Sequence, residues 1–231
     1  SILNQTHTNW ELLLTDDCSN DSTVEIINRF TLMDDRIKLF VLNKNSGAAV
    51  ARNNSIYNSS GEYLAFCDSD DLWSKNKLES QINFMTSFDL SFCFTAYEII
   101  NHKGLPLNIT VDSTQRGFFT YFDLLKKKAT VGCCTVVIKK KSFEGLLEMP
   151  NIKTGQDYAF WIKLLKKTNH NAYVFPKILS KYRINPNSIS RNKLKKIKSQ
   201  FYIYKTLDGN NLVKSFYFLC YYAYNAIFRT S

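Results

Sequence analysis

The chain has 231 residues, of which 45% are hydrophobic and 22% are charged, and this composition excludes a chain that is disordered over most of its length. The length suits one globular domain with a small appendage. The formal net charge is +10, which favours an anionic partner: nucleic acid, an anionic membrane surface or a phosphorylated substrate.

In the first half of the chain, short apolar runs alternate with segments of helical periodicity. Strands are predicted at residues 11–16, 37–42, 63–67 and 90–95, and helices at residues 22–30, 47–58 and 75–88. This alternation predicts βαβ units and therefore an α/β fold, with a mainly parallel, mixed sheet flanked by helices. In such sheets, ligands bind beyond the carboxyl ends of the strands.

The second half of the chain is less regular. A strand is predicted at residues 135–138, an amphipathic helix at residues 157–167 and a short strand at residues 178–182. From Arg191 onward, basic residues and then aromatic residues dominate, and we place a boundary near Ser190. The predicted organisation is one domain over residues 1–190 and a helical tail over residues 191–231.

The six cysteines do not have the spacing of a metal site or a disulfide framework. No pair forms a CxxC motif, and the adjacent Cys133 and Cys134 are poor disulfide partners. We expect small buried side chains in a reducing cytosol. The sequence shows no signal peptide and no apolar run long enough to span a bilayer. The expected location is the cytoplasm, including the inner face of the cell membrane.

An acidic cluster follows the predicted strand at residues 63–67. Asp68, Asp70 and Asp71 fall within four residues, and carboxylates at this spacing repel one another unless a cation lies between them. Mg²⁺ and Mn²⁺ prefer oxygen ligands and bridge carboxylates to substrate phosphates. The alternative is a solvated acidic turn in which an Asp caps the next helix. The cluster alone does not decide between the two interpretations.

Further side chains could bind or act on a ligand. Asp16 and Asp17 end a predicted strand, where a carboxylate can accept hydrogen bonds from a nucleobase or a ribose. Arg52 lies one turn into the helix that follows Gly47 and could face a phosphate or hold an acidic loop. Asp157 opens the amphipathic helix, whose N-terminus favours an ionised carboxylate that can accept a proton. Helix capping is the alternative for each Asp.

As an ordered set, these motifs resemble family 2 glycosyltransferases with the GT-A fold, of the bacterial cell-surface polysaccharide type. The resemblance covers residues 1–190. The motifs that carry it are, in chain order, Asn9-Trp10-Glu11…Asp16-Asp17-Cys18-Ser19, Asn45-Ser46-Gly47…Ala51-Arg52-Asn53, Gly61-Glu62-Tyr63…Asp68-Ser69-Asp70-Asp71 and Gly155-Gln156-Asp157-Tyr158…Trp161.

This resemblance implies an inverting transfer of a sugar from a nucleotide diphosphate to an acceptor hydroxyl, with Mg or Mn as cofactor. The implied partners are a nucleotide-sugar donor and a glycan or lipid-linked acceptor in surface polysaccharide or lipopolysaccharide synthesis, with no nucleic acid. Asp157 is the implied general base, and Asp70 and Asp71 are the implied metal ligands. The expected contacts with the nucleotide sugar are Asp16, Asp17, Arg52, Asp68 and Asp70.

The sequence departs from the family pattern at two places. Gln156 stands where many members have Glu, although the base itself, Asp157, is retained. The first buried strand of the family and most of its first helix are not seen ahead of Ser1, so we expect the natural chain to begin earlier.

The tail combines a basic run with the aromatic segment 212–228, which contains Lys214 and is short for a membrane span. A buried terminal helix is one interpretation. An interfacial helix is the other, because aromatic and cationic side chains suit the headgroup region, and we favour contact with the membrane surface.

Three alternative functions remain at this point. A nucleotidyltransferase would explain the acidic cluster but would leave Asp157 and the Asp16 pair without a role. A catalytically impaired relative is suggested by Gln156 and by the missing start of the domain. A basic nucleic-acid-binding module would give no reason for acidic clusters at strand ends, where phosphate would be repelled.

Overall fold

A computed structural model describes residues 1–185 and 193–228. The strands are β1 (Leu12–Asp16), β2 (Ile37–Val41), β3 (Tyr63–Ala65), β4 (Leu72–Trp73), β5 (Phe92–Ile100), β6 (Pro106–Val111), β7 (Phe118–Phe119), β8 (Val137–Lys139) and β9 (Ala172–Arg183). The helices are α1 (Thr23–Thr31), α2 (Ala48–Tyr57), α3 (Lys77–Ser87), α4 (Tyr121–Leu125), α5 (Gln156–Thr168), α6 (Lys193–Tyr202) and α7 (Leu212–Phe228). Turns of 3₁₀ helix over Cys133–Thr135 and Lys140–Phe143 flank β8, and a π-helical turn spans Ile203–Leu207 after α6.

The strands form two sheets. In the smaller sheet β1 pairs with β2 in parallel. The larger sheet has the order β3-β8-β5-β9-β4, with β6 on β5 and β7 on β9. Its central pair, β5 and β9, is parallel, and the other pairs are antiparallel. The predicted α/β class with a mixed sheet is therefore confirmed.

The main core lies where α5 packs against the larger sheet. The strand β5 is almost wholly buried because both of its faces are covered, as expected for the centre of a sheet between layers. Trp161 of α5 is fully buried, and its ring lies 5.3 Å from that of Phe66 and 5.4 Å from that of Phe92. These contacts fix α5, and therefore the residues at its N-terminus, relative to the sheet.

Predicted and observed elements agree best in the first half. The predicted strands at 11–16, 37–42 and 63–67 and all the predicted helices end within two residues of the observed bounds. The strand predicted at 135–138 is wrong at its start, because Cys133–Thr135 is a 3₁₀ turn and β8 begins at Val137. The strands predicted at 90–95 and 178–182 are parts of the longer β5 and β9.

The tail does not form a separate unit in the described part of the chain. Ile203, Tyr204 and Phe218 belong to the same buried cluster as Trp161, so the segment after the expected boundary packs into the core of the preceding domain. Ser190 itself lies outside the described residues. Within the described ranges, no helix has the length and apolar character that crossing a bilayer requires.

Candidate active site

The first candidate group lies where β1 meets the start of α2. The carboxylate of Asp17 accepts hydrogen bonds from the backbone N–H groups of Ser46 and Gly47, at 2.6 Å and 2.7 Å. Gly47 has φ of 92°, a conformation that glycine adopts without strain, and no side chain within α2 caps the helix. Asp17 therefore fixes the turn over Ser46 and Gly47 that leads into α2 and hence to Arg52.

Asp16, next to it, has a different environment. Its side chain is buried, and Oδ2 accepts a hydrogen bond of 2.9 Å from the backbone N–H of Ser19. This bond closes the turn at Cys18, which has a φ of 64°. Asp16 thus holds the shape of the turn, while Asp17 is the more accessible member of the pair.

Arg52 connects α2 to the acidic loop after β3. Its Nη2 donates to Oδ1 of Asp68 in an ion pair, with the two side chains 20% and 31% exposed. Its Nη1 is buried and has no hydrogen-bond partner in the described part of the chain. A buried guanidinium N–H without a partner is costly, and an anionic ligand beside Arg52 would satisfy it.

Asp70 and Asp71 are tied to the end of β9. Asn185 donates to Oδ2 of Asp70 at 2.8 Å, and the backbone N–H of Arg183 donates to Oδ1 of Asp71 at 2.8 Å. Asp70 is partly exposed, whereas Asp71 is buried, and burial raises the pKa of Asp71 to about 6 despite the bond from Arg183. Of these two predicted metal ligands, the structure therefore leaves Asp70 the more accessible one.

Asp157 lies in the first turn of α5, after Gly155 in the left-handed conformation. Its side chain is partly buried. Burial raises the pKa of the Asp157 carboxyl above its ordinary value, and the charge of Arg52 and the N–H groups at the start of α5 oppose this rise. Asp68 is also close enough to add to the rise. Arg52 is therefore the common electrostatic neighbour of Asp68 and Asp157.

Sequence reasoning missed several residues of this group. Arg183 and Asn185 hold the acidic loop from β9, and the Nε of Arg183 also donates to the carbonyl of Asp70 at 2.7 Å. Cys133 is buried against Arg52, Asp68 and Asp157, and burial first, then the two carboxylates, raises the pKa of its thiol. Nothing in the local sequence around these residues signals their position, because each reaches the site from a distant element.

The donor set is compatible with a hard divalent cation. In residues 1–185 and 193–228, no three His, Cys, Asp or Glu side chains converge on a common point suited to a metal. Mg²⁺ is usually held by one or two carboxylates together with substrate phosphates and waters. The accessible carboxylate of Asp70, with the nearby Asp68 and Asp71, supplies oxygen ligands of this kind.

The fold is of the α/β class with acidic motifs after its strands, and comparison with known proteins gives the family. Residues 1–147 match the family described as Glycosyl transferase family 2. The chain is 40% identical over 227 residues to the putative teichuronic acid biosynthesis glycosyltransferase TuaG of Bacillus subtilis, covering 98% of this chain and 88% of TuaG. The chain therefore belongs to glycosyl transferase family 2 and is a glycosyltransferase.

A second relative, the UDP-Glc:alpha-D-GlcNAc-diphosphoundecaprenol beta-1,3-glucosyltransferase WfgD of Escherichia coli, is 38% identical over 221 residues, which are 96% of this chain and 84% of WfgD. Family membership as a glycosyltransferase sets aside the nucleotidyltransferase and the nucleic-acid-binding module.

Solved structures show the same fold at low identity. The S. aureus TarS structure in complex with UDP-GlcNAc has a TM-score of 0.75 and 17% identity, covering 98% of this chain and 67% of that chain. Against a longer TarS structure, the chain spans 40% of the TarS chain. The mannosyltransferase PcManGT from Pyrobaculum calidifontis, in complex with GDP-Man and Mn2+, has a TM-score of 0.68 and 15% identity, covering 96% of this chain and 63% of that chain. The expected GT-A fold is confirmed.

Proposed function

We propose that the chain transfers a sugar from a nucleotide diphosphate, with inversion at the anomeric carbon, to a lipid-linked acceptor during synthesis of a cell-surface polysaccharide. The observation that carries the proposal is the position of Arg52, which pairs with Asp68 of the acidic loop and is an electrostatic neighbour of Asp157. Asp68, in the loop proposed to bind the donor, and Asp157, the proposed proton acceptor, thus both interact with the guanidinium of Arg52. The names of TuaG and WfgD support the polysaccharide context and the lipid-linked acceptor.

In this proposal each side chain has a distinct part. Asp17 contacts the nucleoside from the turn that it shares with Ser46 and Gly47, and Asp16 supports that turn. The unpartnered Nη1 of Arg52 donates to the donor diphosphate. Asp68 and Asp70 face the ribose and the diphosphate, and Asp71 mainly holds the loop to β9.

The reaction is a single displacement. The acceptor hydroxyl loses its proton to the carboxylate of Asp157, and its oxygen forms a bond to the anomeric carbon. The bond from that carbon to the diphosphate oxygen breaks, and its electron pair leaves with the nucleoside diphosphate. A divalent cation, Mg or Mn, held by Asp70 with Asp71 as the second predicted ligand, would offset the negative charge of the leaving group.

The first prediction tests this function and its metal. A panel of UDP- and GDP-sugars with a polyprenyl-diphosphate-sugar acceptor should give release of one nucleoside diphosphate in the presence of Mg²⁺ or Mn²⁺. Chelation should stop the release, and Asp70→Ala should lower it about 10²-fold or more, because one of the few carboxylate ligands is lost. Thermal stabilisation by UDP plus Mn²⁺ should also be lost in Asp70→Ala.

Glu62→Ala is the matched control, because Glu62 is exposed and lies just before β3, at the opposite end of that strand from the acidic loop. This variant should keep both the release of nucleoside diphosphate and the thermal stabilisation. Full turnover by Asp70→Ala in the presence of a chelator would remove Asp70 from the metal site. No release from any sugar nucleotide would instead favour a catalytically impaired relative.

Contact with an anionic membrane surface is the finer part of the proposal. The helix α7 packs through Phe218 but exposes Phe216, Tyr217, Tyr221 and Tyr224, which are between 41% and 60% exposed. Between residues 193 and 228 the sequence has one acidic residue, Asp208, and it is buried against Lys166. The segment therefore combines an exposed aromatic face with an excess of lysines, as interfacial helices do.

The second prediction concerns this face. Vesicles that contain anionic lipid should retain the protein at low salt, and high salt should release it, because each Lys near the surface contributes about 1 kcal/mol that salt screens. Phe216→Ser should weaken this binding several-fold. Phe88→Ser, which changes an equally exposed phenylalanine far along the chain (66% against 57% exposed), should not. Equal binding to neutral and anionic vesicles, or equal losses in both variants, would contradict the proposal.

A further inference from the structure

The loop that leads into Asp157 is held by the C-terminal segment, which here means residues 193–228 of the tail. Ser199 of α6 makes two hydrogen bonds with Thr154: the Oγ1 of Thr154 donates to the Oγ of Ser199 at 2.9 Å, and this Oγ donates to the carbonyl of Thr154 at 2.8 Å. The two partners are 45 residues apart in the chain. The hydroxyl and the carbonyl of Thr154 are thus both held by a single side chain of the tail.

The next residue, Gly155, is covered by the same segment. It has φ of 75°, and a Cβ added to it would lie 3.0 Å from the Cδ1 of Ile203, closer than carbon atoms pack without a shift. Ile203 is buried in the main core. The left-handed turn that starts α5 therefore has its shape set from one side by Ile203.

Tyr158, which follows Asp157, is enclosed by two tyrosines of the tail. Its ring centroid lies 6.4 Å from that of Tyr204 and 6.5 Å from that of Tyr222, both with edge geometry. Its hydroxyl donates to the carbonyl of Leu124 at 3.1 Å, and that of Tyr204 donates to the next carbonyl, Leu125, at 2.6 Å. The first turn of α5 is thereby locked to both the tail and α4.

Asp157 itself has a tail residue as a neighbour. Burial first, and then the Asp157 carboxylate, raises the pKa of the Tyr222 phenol to about 12, so this phenol stays neutral at physiological pH. The ring of Tyr222 lies beneath the ammonium of Lys127, 4.5 Å from its centroid. The charged or titratable groups that interact electrostatically with Asp157 are therefore Arg52 from α2, Asp68 from the acidic loop, Cys133 from the 3₁₀ turn and Tyr222 from α7.

We propose that the C-terminal segment is part of the catalytic machinery, in which Ser199 and Ile203 are positioning residues for Asp157. The inference rests on the proposed role of Asp157 as the general base. Contacts from the segment reach Thr154, Gly155 and Tyr158, the residues on either side of Asp157, so the segment governs where the carboxylate lies. Displacing the base by a fraction of an ångström should lower kcat. Donor binding should be retained, because it is proposed to use Asp17, Arg52 and Asp68.

The third prediction is a set of kinetic comparisons on the full chain. Ser199→Ala should lower kcat about tenfold and leave the KM for the sugar nucleotide within twofold. Asn225→Ala is the matched control, because it also removes a hydrogen bond from the tail to the domain, the 2.7 Å bond to the carbonyl of Lys126, but does not touch the start of α5. Its kcat should stay within twofold of that of the unmodified chain at a similar loss of Tm.

A rescue experiment complements this comparison. Gly155→Ala should lower kcat at least tenfold through two effects, because the new Cβ meets the Cδ1 of Ile203 and because a φ of 75° strains any residue other than glycine. Adding Ile203→Val deletes that Cδ1 and removes only the first effect, so a partial recovery is expected. If Ser199→Ala behaves as Asn225→Ala does, the positioning role is wrong. Asp157→Asn in the same assay separates the two ideas. If kcat falls in Asp157→Asn but not in Ser199→Ala, only the positioning role is rejected. If Asp157→Asn keeps the kcat of the unmodified chain, the assignment of Asp157 as the base is rejected, and the inference with it.

Discussion

Replacing Asp157 by Asn is expected to lower kcat by about 10²- to 10⁴-fold, the usual contribution of a general base, and to leave the Kd of the sugar nucleotide within twofold. Asn has nearly the same size as Asp but offers no proton acceptor of comparable basicity. The donor is proposed to bind at Asp17, Arg52 and Asp68, and the substitution removes none of these. The measurements are kcat at saturating donor and calorimetric titration of the donor.

Capping is the competing role for Asp157, because a carboxylate in the first turn of a helix is favourable by about 0.3–1 kcal/mol. The raised pKa of Asp157 means that burial of the charge offsets this benefit, so Asp157→Asn should change the free energy of unfolding little. Glu25→Gln makes the matching change in the first turn of α1, where Glu25 is exposed, and should lose no activity. Equal kcat values for the two variants would assign Asp157 to capping.

The pH dependence of the rate carries a second signature of the base. Burial raises the pKa of the Asp157 carboxyl, and only the ionised carboxylate can accept the proton. The rate should therefore rise with pH through this raised pKa and reach a plateau above it. The acidic limb of the pH profile should lie above the ordinary range for an aspartate and should disappear in Asp157→Asn.

The sequence predicts which motifs form the site because each motif is local. The carboxylates lie just after β1 and β3, and Arg52 and Asp157 lie near the starts of α2 and α5, where ligands bind in α/β folds. The roles of Asp17, Arg52, Asp68 and Asp157 remain predictions from this placement.

The partition of roles within each acidic pair is not a local property. Asp16 and Asp17 are chemically equal in the sequence, but Asp16 is the last residue of β1 and Asp17 follows it, and only the fold shows that Asp16 is buried. Asp71 likewise differs from Asp70 in that its side chain accepts a hydrogen bond from the backbone N–H of Arg183, 112 residues away. A contact at this separation leaves no trace in composition or periodicity.

The packing of the tail on the preceding domain is not visible in its sequence for a related reason. The change from basic to aromatic composition after Arg191 resembles a boundary, and the aromatic residues of α7 have no periodicity that separates buried from exposed members. In the structure Phe218 enters the core, whereas Phe216 and Tyr217 are exposed. Tyr204 and Tyr222 both contact Tyr158, a partner in α5 that the tail sequence does not reveal.

The second large effect is expected at Arg52, because this side chain interacts with two carboxylates and has a buried nitrogen, Nη1, without a hydrogen-bond partner among the described residues. Its charge opposes the rise in the pKa of Asp157. Its ion pair holds Asp68 in the acidic loop, and its free Nη1 is proposed to bind the donor. Removal of the guanidinium should therefore affect binding, chemistry and stability together, but through different atoms.

Arg52→Met is expected to lower kcat/KM about 10²-fold, as one or two charge-assisted hydrogen bonds of about 1.5–3 kcal/mol are lost. It should also shift the acidic limb of the pH profile to higher pH, because the positive charge that lowers the pKa of Asp157 is gone. The free energy of unfolding should fall by about 1–3 kcal/mol, since Asp68 loses its partner in a site that is only partly buried.

Two companion variants separate these effects of Arg52. Asp68→Asn added to Arg52→Met should restore stability, because the unpaired charge is removed, but not the donor affinity. Arg52→Lys keeps the charge without the planar fork, so its acidic limb should stay in place while its donor Kd rises. An acidic limb that is the same in Arg52→Met as in the unmodified chain would show that Arg52 does not lower the pKa of Asp157. The proposal that Arg52 links the donor-binding loop to the general base would then be wrong.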